Sequence, residues 1–408
     1  MAIYNNACTS RDQGYACKRH WNPLNKRTCG LVVLFVLATG SASADLFVSS
    51  FNDHEVLRYN QTTGAPLGVF VPAGSGGLSA PHRGLFGPDG SFYVASANNN
   101  SILRYGGTTG TFVNALVANG GGGVGANRLD YPVDMFFRSG LLYVTSQLSD
   151  SVLRFDAGSG AFVDALVPSG TGGLDGPSGM AIGLDGNLYV VGRYSNLVHR
   201  FHGTTGASLG SFGAANLSQP FGIDVAGDGT LYVASGNTNT IVRFNPETGA
   251  FLGNLTGASG LSLPIGVEFG PDNNVYAASY SNGRIKQFNS ATNAYLGEFI
   301  QPSPSGDPDG PNFLTFANVT GDANGDGAAD FTDLGILLNN YDRPGNFGQG
   351  DFNQSGEVDF TDLGILLNNY NQSAPVLSPA TAVPEPSTLM LVCVGLFVGL
   401  IALVSRQR

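Results

Sequence analysis

The chain is built around a repeat of about 45 residues, and this repeat limits the folds open to it. A strand-forming segment of the type LYVAS is followed by an arginine-aromatic pair and then by a turn such as TTG. Turn residues such as Asp89-Gly90, Asp185-Gly186 and Asp228-Gly229 close hairpins with an earlier strand, and the pattern gives four short strands per unit. The pairs are Arg58-Tyr59, Arg104-Tyr105, Arg154-Phe155, Arg200-Phe201, Arg243-Phe244 and the degenerate Gln287-Phe288.

Four strands per unit at this period predict an all-β fold, a six-bladed β-propeller over 45–319. A lone four-stranded sheet cannot bury both of its faces, so the blades must stack around a ring that closes. Five units open with a proline-led strand, whereas the first begins at Asp45 without one. The missing strand stands after the last repeat, at 311–317 (PNFLTFA), and is expected to complete the first blade.

The motif order resembles that of NHL-type repeats over 45–317. Propellers usually bind ligands on the face that carries the loops between blades and between the second and third strands. Here these loops are rich in Asn and Ser, which suits a polar ligand such as a sugar but equally describes solvated turns. The predicted ligand-face residues are Arg83, Tyr131, Arg193 and Tyr194, whereas the repeated arginine is expected to be structural.

Catalytic candidates are few. Between Asp45 and Val383 the chain has no cysteine and no G-x-S-x-G, H-E-x-x-H or phosphate-loop motif. Related six-bladed propellers include lactonases and a streptogramin lyase, but no register reproduces their residue sets. His82 is the first candidate for a base and His54 the second. Two functions stay open: a non-catalytic binding or scaffold protein, and an extracellular lyase or hydrolase acting on a polysaccharide or an ester.

A duplicated acidic loop follows the propeller, within 320–371. Oxygen-bearing side chains stand at positions 1, 3, 5, 9 and 12 of each loop, with glycine at position 6, which is the spacing of a Ca²⁺ loop. The alternative is an acidic turn that binds no ion. The predicted ligands are Asp322, Asn324, Asp326, Asp330 and Asp333 in the first loop, and Asp351, Asn353, Ser355, Asp359 and Asp362 in the second.

Each loop leads into a short helix, and the duplicate resembles a type I dockerin over about 322–370. The spacing of Leu334, Leu338 and Tyr341 predicts one apolar helix face. The resemblance implies a cohesin-like protein partner at loop positions 10 and 11, where Phe331 and Phe360 depart from the usual small polar residue. It also implies an association with polysaccharide degradation. So small a module should depend on Ca²⁺ to fold.

Both ends of the chain carry export signals. Residues 1–44 combine a basic region, a short apolar run and an A-x-A site, as in a secretory signal peptide. After a linker at 372–382, a Pro-Glu-Pro motif precedes the apolar segment 389–404 and two arginines. Residues 383–408 thus resemble a PEP-CTERM sorting signal with one transmembrane helix, which implies a surface or matrix location, with the helix retained or cleaved. A plain membrane anchor is the alternative.

The charge of the chain limits its partners. Its net charge of −11 argues against binding to nucleic acid through a general phosphate field. The expected partners are therefore Ca²⁺, the membrane, a polysaccharide or matrix ligand, and a cohesin-like or other protein.

Overall fold

A computed structural model describes residues 45–123, 125–255, 260–301, 308–317, 321–323, 329–345, 349–352 and 357–370. The predicted signal peptide, linker and sorting signal lie outside these residues, and so do Asn324, Asp326, Asn353 and Ser355. No helix in the described ranges is long and apolar enough to cross a membrane.

The described residues form six four-stranded antiparallel sheets, one for each predicted unit. From the inner to the outer strand, blades 1 to 3 are β24 (Pro311–Phe316), β1 (Asp45–Ser50), β2 (Glu55–Asn60), β3 (Pro66–Val71); β4 (Pro81–Phe86), β5 (Phe92–Ser96), β6 (Ser101–Tyr105), β7 (Phe112–Val117); and β8 (Pro132–Arg138), β9 (Leu141–Ser146), β10 (Ser151–Asp156), β11 (Phe162–Val167). Blades 4 to 6 are β12 (Pro177–Ile182), β13 (Leu188–Gly192), β14 (Leu197–Phe201), β15 (Ser208–Phe212); β16 (Pro220–Val225), β17 (Leu231–Ser235), β18 (Thr240–Phe244), β19 (Phe251–Asn254); and β20 (Pro264–Phe269), β21 (Val275–Ser279), β22 (Arg284–Phe288), β23 (Tyr295–Ile300).

The inner strands form a closed ring. Each contacts the next in the order β4, β8, β12, β16, β20, β24 and back to β4. A separate buried apolar cluster fills each junction between neighbouring blades. Burial between blades, rather than within one, therefore holds the sheets together. The six-bladed propeller predicted from the repeat is confirmed.

The closing strand β24 completes blade 1 as predicted. It pairs with β1 in antiparallel register, with Leu46 opposite Phe316 and Val48 opposite Leu314. The Ala317 N–H donates to the carbonyl of Asp45 at 2.8 Å, which extends the ladder by one bond. The ring is thus sealed by pairing between the two ends of the propeller chain.

Side chains also tie β24 to the inner strand of blade 2. The amide nitrogen of Asn312 lies 2.8 Å from His82 Nδ1. The Thr315 hydroxyl donates to the carbonyl of Gly84. Neighbouring inner strands of different blades do not share a backbone ladder, so these contacts supply polar links across the final junction.

The repeated arginine is structural, as predicted. Its guanidinium pairs with a carboxylate in blades 1 to 3 and donates to backbone carbonyls in blades 4 and 5. The partners are Asp45 for Arg58, Asp89 for Arg104, Asp164 for Arg154, the Pro246, Glu247 and Leu209 carbonyls for Arg200, and the Leu252 carbonyl for Arg243.

The module after the propeller contains two helices, α1 (Phe331–Asn340) and α2 (Phe360–Asn369), and a two-stranded ladder of β25 (Arg343–Pro344) with β26 (Glu357–Val358). Leu337 and its copy Leu366 are fully buried in its small apolar core. Leu338 is 56% exposed, so its predicted place on the apolar face was wrong. The buried face follows a spacing of three residues from Leu334, because the helix packs through Leu337.

Candidate functional site

Six loops of four residues join the second and third strands of the blades, and we call them the face loops. The last residue of each has a positive φ. In five loops its side chain accepts a hydrogen bond of 2.7–2.9 Å from the backbone N–H of the residue before the next blade's inner strand. We call this last residue of the loop the latch residue. Asn and Asp suit the position, because they tolerate a left-handed backbone and carry a hydrogen-bond acceptor. The latch residues are His54, Asn100, Asp150, Asn196 and Asn239.

His54, the second catalytic candidate, is therefore the latch of blade 1. Its Nδ1 accepts from the Ala80 N–H at 2.9 Å. Aligning the six face loops in the sequence would have placed His54 in register with Asn100, Asp150, Asn196 and Asn239. That register is the signal by which its structural role could have been found.

His82, the first candidate for a base, is buried at the ring closure. Its ring packs edge-on against Phe51 at 5.2 Å and Tyr131 at 5.5 Å between centroids. Burial, with a smaller effect of Arg193, lowers the pKa of His82 to about 3. The imidazole is thus neutral at physiological pH and a weak base.

Aromatic residues and one arginine converge at the loop-face end of the channel, and we call Phe51, Tyr131, Arg193, Tyr194 and Tyr280 the mouth cluster. Burial raises the pKa of Tyr131, while Arg193 lowers it and Tyr194 and Tyr280 raise it further, so all three lie near its phenol. Phe51 and Tyr280 have ring centroids 6.1 Å apart. The structure therefore brings together three of the four predicted ligand-face residues.

Two glycines with positive φ provide seats for the mouth tyrosines. A Cβ on Gly176 would lie 2.4 Å from the Tyr194 ring, and one on Gly310 would lie 2.7 Å from the Tyr280 ring. Each ring therefore packs directly against the glycine backbone, because a larger side chain at that position would collide with the ring. The Tyr280 hydroxyl donates to Asn52 Oδ1 at 3.0 Å, whereas Tyr194 remains 48% exposed.

An apolar plug lies at the start of the inner strands. Val133, Phe221, Ile265 and Phe313 come from four different blades and are all buried in one cluster, against which Tyr131 and Tyr280 pack. The mouth cluster therefore rests on buried apolar side chains. Phe221 and Phe313 were not among the predicted site residues, because their role appears only when the ring is closed.

Arg83, the fourth predicted ligand-face residue, makes its side-chain contacts inside the channel. Its guanidinium makes two hydrogen bonds to Glu268, at 2.6 and 3.2 Å, and donates to the Leu314 carbonyl at 3.2 Å. Its Nε lies 3.7 Å from Asp134. Burial alone would lower the pKa of Arg83, but Glu268 and Asp134 raise it above its ordinary value. This arginine thus joins blades 2 and 6 across the closing strand.

Two aspartates join inner strands that share no backbone ladder. Asp134 accepts from the N–H groups of Met135 and, in the next blade, Met180, both at 2.8 Å. Asp224 accepts in the same way from Val225 and from Phe269 in the next blade. Burial raises the pKa of Asp134 to about 6, and burial together with Glu268 raises that of Asp224 to about 8.

A cleft of about 420 Å³ opens on the loop face at blade 3. Its polar lining includes Arg128, Asp130 and Asp150. Asp130 directly precedes Tyr131 of the mouth cluster, so the cleft and the mouth adjoin.

A serine-histidine contact in blade 4 has a packing explanation. The Ser195 hydroxyl lies 2.8 Å from His199 Nε2. Gly192 stands where the second strands of the other blades end in serine. A Cβ on Gly192 would come within 2.1 Å of the Ser195 oxygen, so Ser195 fills that space. Burial lowers the pKa of His199, which keeps the imidazole neutral.

The described ligand positions of the two acidic loops carry buried carboxylates. Asp322 and Asp333, at positions 1 and 12 of the first loop, are 1% and 0% exposed, and their copies Asp351 and Asp362 are 2% and 0% exposed. Asp333 accepts from the N–H groups of Ala323 and Asp330, at 2.8 and 2.7 Å.

The position-9 aspartates begin the helices. Asp330 and Asp359 are N-caps, each accepting from the N–H two residues on at 2.7 Å. Within the described residues, no group of three or more His, Cys, Asp and Glu side chains is arranged to hold a metal ion. The loop positions 3 and 5 lie outside those residues.

Residues 382–408 match the PEP-CTERM protein-sorting motif. The match covers the end that the sequence pattern identified, and it implies that the chain is exported and sorted to the cell surface. No curated protein matches the chain.

Several solved propellers resemble the structure. One, from the crystal structure of a nidogen/laminin complex, aligns with a TM-score of 0.53 and 16% identity over 67% of this chain and 98% of the other. A catalytically inactive virginiamycin B lyase from Staphylococcus aureus, solved with quinupristin, gives a TM-score of 0.49 and 15% identity over 68% and 93%. At such identities the similarity to the nidogen/laminin structure concerns the fold alone.

Proposed function

We propose that this exported protein is a non-catalytic binding protein of the cell surface or matrix, whose mouth cluster holds a polar ligand and whose acidic loops bind up to two Ca²⁺ ions. The observation that carries the proposal is the convergence of four residues at the channel mouth. Tyr131 and Tyr280 pack on the apolar plug, and Arg193 lies over both Tyr194 and Phe221 of that plug. Aromatic faces with polar tips provide contact area at a low entropic cost and are enriched in binding surfaces.

The histidines support binding rather than catalysis. A general base works best with a pKa near the operating pH, and His82 has a pKa of about 3. His54 Nδ1 is occupied by the Ala80 N–H. The alternative, a lyase or hydrolase, would need a base other than these two.

Tyr194→Ala is expected to weaken ligand binding about tenfold or more, because a truncated tyrosine at the centre of a binding site commonly costs 1–2 kcal/mol or above. A glycan array probed with the full-length protein would identify the ligand, and calorimetry would measure Kd. Asn237→Ala is the matched control, since Asn237 holds the same face-loop position in blade 5 and is also exposed. Equal loss in both variants, or binding to no glycan, would count against the proposal.

The donor chemistry of the acidic loops fits Ca²⁺. The ion prefers six to eight hard oxygen ligands, and carboxylates at positions 1 and 12 of each loop are already buried. Burial of a carboxylate is costly unless a cation or hydrogen bonds compensate its charge. Asp322, Asp330 and Asp333 would hold an ion in the first loop and Asp351, Asp359 and Asp362 in the second, with Asn324, Asp326, Asn353 and Ser355 completing the sets.

Titration of the full-length protein with Ca²⁺ is expected to give two sites and to raise the unfolding temperature of the module. Asp322→Ala should reduce the stoichiometry from two to one while leaving the N-cap of α1 in place. The control Asp342→Asn changes an exposed aspartate of the same module outside the loops. Unchanged protease resistance of the module after chelation would refute the calcium assignment.

The helices of the module support a docking role for it. Phe331 and its copy Phe360 are each 74% exposed, and Leu338 and Leu367 are exposed beside them on α1 and α2. Exposed apolar groups of this kind mark interaction surfaces. A protein partner could therefore meet either of two equivalent surfaces.

A further inference from the structure

Arg193 differs from the other arginines that hold the propeller together. Arg58, Arg83, Arg104, Arg154 and Arg284 each pair with a carboxylate. In the described part of the chain Arg193 has no carboxylate or carbonyl partner for its side chain, and its buried Nε has no acceptor. Among the described residues, Arg193 therefore forms no ion pair.

The aromatic neighbours of Arg193 hold its guanidinium in place. The central carbon lies 4.4 Å from the centroid of Phe221 and 5.5 Å from that of Tyr194. Cation–π packing uses the flat face of the guanidinium and leaves its in-plane N–H groups as donors. Tyr194 is fixed in turn on Gly176. The cation is thus pre-organised beside an exposed aromatic ring.

The net charge of the whole protein limits the class of ligand that the mouth cluster can bind. At a net charge of −11 the chain repels dense polyanions such as nucleic acids or heavily sulfated chains. One guanidinium at the mouth suits one carboxylate, which it can bind through two parallel hydrogen bonds.

The polar groups around the mouth favour a sugar over a peptide. Asn52 and Asn98 are exposed at the second position of their face loops. Each amide already bonds to a neighbouring side chain and keeps a further donor and acceptor for a hydroxyl. A peptide would gain most from main-chain bonding to an open strand edge. The inner strands do have an unpaired edge, but it faces the channel, where the buried side chains of the apolar plug lie at the mouth.

We propose that Arg193 binds the carboxylate of an acidic sugar, a uronate residue, whose ring stacks on Tyr194. This inference rests on the proposed function, because it assigns a ligand class to the same mouth cluster. It makes Arg193 the specificity-determining residue and Tyr194 the stacking surface.

The test is calorimetric titration of the full-length protein with trigalacturonate, its methyl ester and hexaglutamate. The ester keeps the rings and hydroxyls and loses the charge, so it should bind at least tenfold more weakly. Arg193→Gln should weaken trigalacturonate binding roughly tenfold to a hundredfold, as expected for hydrogen bonds to a charged group, and should abolish the preference over the ester. The control Arg243→Gln removes an arginine that donates to the Leu252 carbonyl and lies outside the mouth cluster, and it should leave Kd unchanged.

The outcomes separate this inference from the proposed function. Tight binding of hexaglutamate without trigalacturonate would overturn the sugar class. If the ester or another neutral glycan binds equally well and Tyr194→Ala alone weakens it, the charge assignment fails while the binding function stands. No binding of any glycan would overturn both.

Discussion

Leu314→Asp is expected to lower the free energy of unfolding of the propeller by at least about 4 kcal/mol. Leu314 is 1% exposed in the cluster between blades 6 and 1, and only the closing strand brings it there. The variant loses the apolar burial of leucine and places a charge within an apolar cluster. Urea unfolding of the full-length protein measures the change.

Two further variants keep this prediction testable if Leu314→Asp does not fold. Leu314→Ala should cost about 2–5 kcal/mol, the range for a truncated core leucine. Val113→Asp, on the outer strand β7, changes a residue that is 51% exposed and should cost less than about 1 kcal/mol. Equal stability of Leu314→Asp and Val113→Asp would mean that residues 311–317 do not close the ring.

Arg83→Met is expected to cost about 3–5 kcal/mol at pH 8, because it leaves buried carboxylates without their cation. Glu268 loses both hydrogen bonds and Asp134 loses its nearest positive charge. The double variant Arg83→Met/Glu268→Gln should recover part of the loss. Arg104→Met removes a more exposed ion pair with Asp89 and should cost less than about 1 kcal/mol.

The pH dependence gives this second prediction a distinct signature. In the native protein the pKa of Asp224 is raised to about 8 and that of Asp134 to about 6. Their protonated forms therefore contribute stability that is full below about pH 4 and is lost as pH rises through these values. Arg83 lowers the pKa of both aspartates, so its removal should raise these pKa values further. The free energy of unfolding should therefore fall more between pH 5 and pH 8 in the variant than in the native protein. Parallel curves would argue against a channel role for Arg83.

The ring could be predicted because its cause is local and repeated. Each unit has the sequence pattern of the same four strands. Because no proline-led strand precedes Asp45, the first blade needed a strand from elsewhere, and residues 311–317 carry that pattern. The LYVAS tyrosines illustrate why the repeat persists. Tyr93, for example, donates its hydroxyl to Asp89 of the aspartate-glycine turn at 3.1 Å.

The site was harder to predict because its residues meet across blades. Arg83 and Glu268 are 185 residues apart, and no local pattern pairs them. His82 was predicted as a base because the sequence alone does not show whether a histidine at the start of an inner strand is exposed or buried. Its burial against Phe51 and Tyr131 follows only from the closed ring. The predicted burial of Leu338 was wrong because spacings of three and of four residues were equally compatible with a ten-residue helix.

In the five face loops that have one, the latch residue separates a fixed part of the loop from a variable part. The latch anchors the backbone of these loops, and a strand-end serine does so in every blade except the fourth, whereas the first two loop positions vary widely in chemistry, from Ala97-Asn98 to Arg193-Tyr194. Substitution at those pairs leaves the anchoring bonds untouched. The same ring can therefore acquire new recognition properties, in natural divergence or by directed evolution, without passing through unfolded intermediates.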